Sequence, residues 1–207
     1  ESKRRVELNR LVAFRREEVD QPVIHAAVAR WFQREGDPAQ ALRVLDEGLA
    51  ASGAEQNAFF VATRVIVLLE DGQLNEAETL FARWPAPHEG HEYWKATGLL
   101  QEELHRNYRA AVEAYEKAIA IWPGPTDWKL RFRRAGCLSL VGEKELADAA
   151  REQALMVQNL FKPEIQQRLR AALANPRQTS SVEAIVEFYQ TLERPDEVRF
   201  WQNTLRR

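Results

Sequence analysis

The feature that most restricts what this chain can fold into is a period. Turn-type residues stand at Gly36, Gly72 and Gly142, with Asn107 near the place of a fourth. About five residues after each comes an alanine, Ala41, Ala77, Ala111 and Ala147, at spacings of 36, 34 and 36. Aligned on those alanines, the stretches read "REGDPAQALRVLDEGLA", "EDGQLNEAETLFARWPA", "LHRNYRAAVEAYEKAIA" and "LVGEKELADAAREQALM". Each is a short turn followed by a helix whose small residue permits close approach of a neighbour. In the third, Ala111, Tyr115 and Ala118 share a face, and Trp122, Pro123, Gly124 and Pro125 stop the helix, because proline lacks an N–H and restricts the residue before it.

Another helical pattern precedes each stretch. Ala29 and Phe32, Val65 and Leu68, Trp94 and Gly98, and Ala135 and Leu138 lie on the faces that should meet the second helices. Helix, turn, helix at a period of about 35 residues cannot bury its apolar face alone and must stack on its neighbours. The expected fold is therefore all-α, an α-solenoid of helix–turn–helix repeats with helical flanks. Val6, Leu8, Leu11, Val12 and Phe14 predict a flanking helix over 4–18. After Leu160, Pro163 and Pro195 stand at first-turn positions, where the missing N–H costs nothing. Ser180 or Ser181 is the expected N-cap between them, and Ile185, Phe188, Phe200 and Trp201 are suited to cover the last open edge. The expectation is one domain over 1–207: a flank at 1–20, about four repeats over 21–160, and capping helices over 161–207.

The pattern resembles the tetratricopeptide repeat. Trp94 and Gly98 match the aromatic and small positions of that family's first helix, and Tyr108, Ala111, Tyr115, Ala118 and Pro123 match its second helix and terminator. This third unit needs one extra residue before Arg106. The second unit keeps Gly72, Ala77 and Phe81, and the first keeps Phe32, Gly36 and Ala41. The fourth keeps Ala135, Gly142, Ala147 and Ala154 but has Arg151 where an aromatic is usual. The resemblance implies a right-handed α-solenoid and recognition of peptides in a concave groove lined by the first helices. The family's carboxylate-holding set of Lys and Asn is not matched, since the equivalent faces offer Arg30, Thr63, Lys95 and Arg133.

Composition narrows the function classes. A net charge of −2 and a pI near 6.2 give no bulk attraction to nucleic acid. A single cysteine, Cys137, excludes an internal disulfide, and no apolar run approaches the roughly 20 residues of a membrane span. The first residue is Glu1 rather than Met, so the chain is expected to be a piece of a longer or processed protein. The wealth of Arg, Ala and Trp has a bacterial character.

Candidate chemistry is sparse. "HEGH" at His88–His91 has ligand types for zinc or nickel, but nothing nearby completes a set. Cys137 reads as a small buried thiol and His25 as a packed, hydrogen-bonded histidine. Nucleophile-elbow, Walker, HExxH and dinucleotide fingerprints are missing from the sequence, so no enzyme activity and no cofactor are expected. "KLRFRR" at Lys129–Arg134 is the densest basic run, yet Lys129, Phe132, Arg133 and Gly136 share one face while Arg131 and Arg134 point elsewhere.

The exposed faces of the first helices are the better candidate. They present Ala26, Arg30 and Gln33, then Phe59, Thr63, Ile66 and Glu70, then Glu92, Lys95, Leu99 and Glu102, then Lys129, Phe132 and Arg133. "FFVATRVIVLL" is apolar nearly all round, so Phe59 and Ile66 belong either to the groove or to the core, and Arg64 needs a partner. The expected function is non-catalytic capture of a peptide or helix of another protein. Arg30, Gln33, Phe59, Thr63, Lys95, Glu102, Lys129, Phe132 and Arg133 would line the groove. The alternative is an accessory domain of a larger enzyme or envelope assembly with no separable ligand.

Overall fold

A computed structural model describes residues 9–10, 12–13, 17, 20–50 and 53–204. Among them the chain is helical throughout, with eleven α-helices, two short 3-10 turns and no strand. In order these are α1 (Pro22–Arg34), α2 (Pro38–Gly48), α3 (Ala58–Glu70), α4 (Leu74–Phe81), α5 (His91–Glu103) and α6 (Tyr108–Ala120). There follow α7 (Trp128–Leu140), α8 (Lys144–Asn159), α9 (Pro163–Ala174), α10 (Thr179–Thr191) and α11 (Pro195–Thr204). Of the helix expected over 4–18, Val6, Leu8, Leu11 and Phe14 lie outside the described residues. Contacts divide the chain into two units, Glu1–Ala114 and Tyr115–Arg207, with the boundary inside α6.

The reversals between paired helices share one geometry. Gly36, Gly72 and Gly142 take φ of 82°, 79° and 88°, a region that L-residues enter only at a cost. The next N–H then donates five residues back: Asp37 to Phe32 O at 3.0 Å, Gln73 to Leu68 O at 2.9 Å, and Glu143 to Leu138 O at 3.0 Å. This closing bond satisfies a carbonyl that the helix end would otherwise leave open. In the third hairpin the left-handed residue is Arg106, at φ 53°, and not Asn107. Asn107 instead caps α6, its Oδ1 accepting from Ala110 N at 3.2 Å, while its own N–H reaches six residues back to Gln101 O at 2.8 Å. The extra residue expected before Arg106 is thus accommodated as a longer closing bond.

A fifth reversal joins α10 to α11. Glu193 takes φ 57°, Arg194 N–H donates to Tyr189 O at 3.0 Å, and Val198 N–H donates to Arg194 O at 3.1 Å. The geometry repeats that at Gly36, but the glycine that would reveal it in sequence is a glutamate. The N-cap of α10 is Gln178, with no side-chain cap bond, rather than Ser180 or Ser181. Ser181 is buried one turn before buried Ile185, so the packed face extends further upstream than the serines suggested.

In the first unit, α3 packs against α1, α2, α4 and α5, which answers its nearly uniform apolar sequence. Ala26, Val28, Ala29, Ala41, Val44, Leu45, Phe60 and Val67 form the core there, with Phe32 and Phe59 against it. Burying a side chain such as Leu45 contributes about 2 kcal/mol. Ile66 is buried as well. His25 is buried with Nδ1 3.2 Å from Val44 O, and Arg64 finds Asp46 at 2.9 Å. In the second unit α7 packs on α8, α10 contacts α8, and α10 also packs on α9 and α11. Val157, Leu160 and Leu192 make a core with Trp128, Ile165 and Phe188. Cys137 is buried. Of the residues suited to cover an edge, Ile185 is fully buried whereas Phe200 is exposed.

The break after α6 depends on a close approach. A Cβ added to Gly124 would lie 1.9 Å from the carbonyl oxygen of Ala118, a clash that backbone movement alone relieves. Gly124→Ala is expected to cost about 3 kcal/mol, whereas Gly142→Ala, open in space but left-handed in φ, costs about 1 kcal/mol. Urea titration monitored by circular dichroism checks both, and equal costs at the two positions would contradict the close-approach argument.

Candidate interaction surface

Three first helices of the first unit carry a connected row of side chains. From α1, the Arg30 guanidinium sits 4.1 Å from the centre of the Phe59 ring on α3. Its Nε donates to Thr63 Oγ1 at 3.1 Å and its Nη2 to Glu92 Oε2 on α5 at 2.6 Å. Thr63 Oγ1 donates in turn to Phe59 O at 2.8 Å. One turn along α1, Gln33 Nε2 donates to Glu70 Oε1 at 2.9 Å. A planar guanidinium can stack and donate at once, which suits arginine rather than lysine to this junction.

The structure therefore brings Arg30, Gln33, Phe59 and Thr63 together, with Glu70 and Glu92 as the partners. Thr63 is fully buried, whereas Phe59, Arg30, Gln33 and Glu92 are half-buried. Lys95 and Glu102 are half-buried on α5, three and ten residues beyond Glu92, and each has interactions of its own. The row is a seam between helices as well as a surface.

The remaining expected positions lie on α7 in the second unit. Trp128 meets Phe132 edge to face at 6.0 Å, and Lys129 Nζ lies 5.7 Å from the Trp128 ring. Arg133 is half-buried and engaged. The residues set aside on that helix are held by ion pairs. Arg131, with a side chain 5% exposed, donates to Glu193 Oε2 at 3.0 Å and to Pro125 O at 3.3 Å. Arg134 donates through Nε at 3.1 Å and Nη2 at 2.8 Å to the same oxygen of Glu116. Sequence reasoning missed this cluster because Glu193 lies 62 residues from Arg131 and no glycine marks its turn. The only clue was Pro195 opening a helix just after it.

Nearby, Arg194 is hydrogen-bonded to Glu197. That bond holds the Glu197 carboxyl below its ordinary range and raises the Arg194 guanidinium above its own.

The "HEGH" stretch is part of an aromatic cluster. Phe81, Trp84 and Tyr93 lie within 5.5 Å of one another by ring centre, with His88 stacked on Tyr93 at 5.4 Å. His88 Nε2 is 3.1 Å from Trp84 O, and His91 is buried at the start of α5. Among the described residues no group of three His, Cys, Asp or Glu side chains is arranged to hold a metal ion. Nor is any described helix long and apolar enough to cross a membrane. No protein-family model matches the chain, and no curated protein matches it.

The Arg30–Glu92 pair is largely enclosed, so it should reach the upper end of the range for surface ion pairs. A double-mutant cycle with Arg30→Met and Glu92→Gln is expected to give a coupling of about 1 kcal/mol in unfolding free energy. A coupling near zero would mean that α1 and α5 are not joined through this pair.

Proposed function

We propose that the chain is a non-catalytic helical-repeat module, similar to the tetratricopeptide repeat, that binds a peptide or helix of another protein. The binding face in this reading is the row shared by α1, α3 and α5. Arg30, Gln33, Phe59, Lys95 and Glu102 meet the ligand, and Thr63 acts from beneath by holding Arg30. The supporting observation is that row itself: Arg30 is fixed by stacking on Phe59 and by bonds to Thr63 and Glu92. A side chain already held in one geometry gives up little conformational freedom on binding. Lys129, Phe132 and Arg133 are the corresponding positions of α7 in the second unit. Neither a cofactor nor nucleic acid is part of this proposal.

The test uses Gln33 and Lys95, two half-buried positions of the row outside the Arg30–Glu92 pair. Wild type and Gln33→Glu/Lys95→Glu, both confirmed helical by circular dichroism, are used as baits with native lysate. A protein retained by wild type should be held about tenfold more weakly by the variant, equivalent to about 1.4 kcal/mol. Equal retention by both would move the interaction away from this row, and capture of nothing by wild type would overturn the proposal.

A further inference from the structure

The fifth reversal places a glutamate where glycine serves at Gly36, Gly72 and Gly142. The left-handed conformation disfavours such a side chain, so its presence calls for a compensating contact. That contact is Arg131, whose buried guanidinium requires a counter-charge and receives it from Glu193 Oε2 at 3.0 Å. The two partners are unequal: the Arg131 side chain is 5% exposed and that of Glu193 63%. Glu193 can therefore swing into water at small cost, whereas Arg131 cannot follow.

One turn further along α7, Arg134 repeats the arrangement. Glu116, 52% exposed, occupies it through a single oxygen that accepts from both Nε and Nη2. Arg131 and Arg134 both line a cleft of about 480 Å³, with Ile119 and Ala120 as apolar wall and Arg194 at its side.

We propose that this cleft binds an acidic peptide segment, and that Glu193 and Glu116 are resident carboxylates which the segment's own carboxylates displace from Arg131 and Arg134. The gain at Arg134 is geometric. A free carboxylate can meet the guanidinium fork with two oxygens, where Glu116 offers one, and two-pronged pairs of this kind are the stronger. Three residues of helix separate the two arginines by about 5 Å. Alternate carboxylates of an extended strand are spaced about 7 Å apart, within reach of both. Ile119 and Ala120 favour a peptide over a compact inorganic anion, because they offer contact to side chains between the carboxylates. The site is separate from the α1–α3–α5 row, and each proposal fails or stands without the other.

The experiment is fluorescence polarisation on the full chain at low salt, with a labelled Glu-Leu-Glu-Leu-Glu peptide and its Gln-Leu-Gln-Leu-Gln counterpart. Wild type binds the acidic probe, and added salt weakens the complex. Glu116→Gln/Glu193→Gln, which keeps shape and removes the competing charges, is expected to bind about tenfold more tightly, and Arg134→Met about tenfold more weakly. Arg134 is chosen because loss of buried Arg131 endangers folding, and circular dichroism checks every variant. The proposal is overturned if the double variant binds no better than wild type, or if the Gln peptide binds as well as the acidic one. It is equally overturned if pyrophosphate, and not the peptide, shows the dependence on these residues.

Discussion

A helix can turn back within three residues only if one of them takes positive φ and the next N–H closes onto the helix just ended. The hairpins α1–α2, α3–α4, α5–α6, α7–α8 and α10–α11 all depend on that closure. It sets where the second helix begins, and so which residue of it arrives one turn later against the first. At Gly36, Gly72 and Gly142 the arriving residues are Ala41, Ala77 and Ala147, all fully buried. The recurring alanine is thus a consequence of the reversal: a helix that starts two residues after the left-handed position presents its fourth residue to its partner. A larger side chain there would force the helices apart.

The same closure is reached by unequal means. Glycine enters the left-handed region without steric penalty. Arg106 does so in a turn one residue longer, with Asn107 capping the helix that follows. Glu193 does so while its carboxylate neutralises Arg131. In that last case local strain and a long-range ion pair belong to one residue, which is why neither the turn nor the pair was visible in a local reading of the sequence. The arginines set aside as pointing away from the shared face of α7 are those the fold encloses or pairs.

Periodicity was informative about angle and silent about distance. It placed Arg30, Thr63 and Glu92 on corresponding faces of three helices, and the structure joins those residues directly. It left Phe59 and Ile66 undecided between surface and core, because an apolar helix looks the same from every side. Packing separated them: Ile66 is enclosed, and Phe59 lies half-buried beneath Arg30. Arg64 likewise required a partner on energetic grounds, but only the approach of α2 identified it as Asp46.

By itself the sequence determined the all-helical character, the phase of the four recognisable hairpins, and the breaks at Pro123–Pro125, Pro163 and Pro195. These are local properties, decided by backbone stereochemistry, helix capping and the 3.6-residue turn. Tertiary structure decided the rest: that a fifth hairpin closes on Glu193, that Arg30 spans three helices, and that Arg131 and Arg134 share a cleft with the acids that occupy them. Those outcomes depend on which side chains come within about 3 Å across helices far apart in sequence. That distance is set by how deeply the small residues let the helices approach, a quantity no single helix encodes.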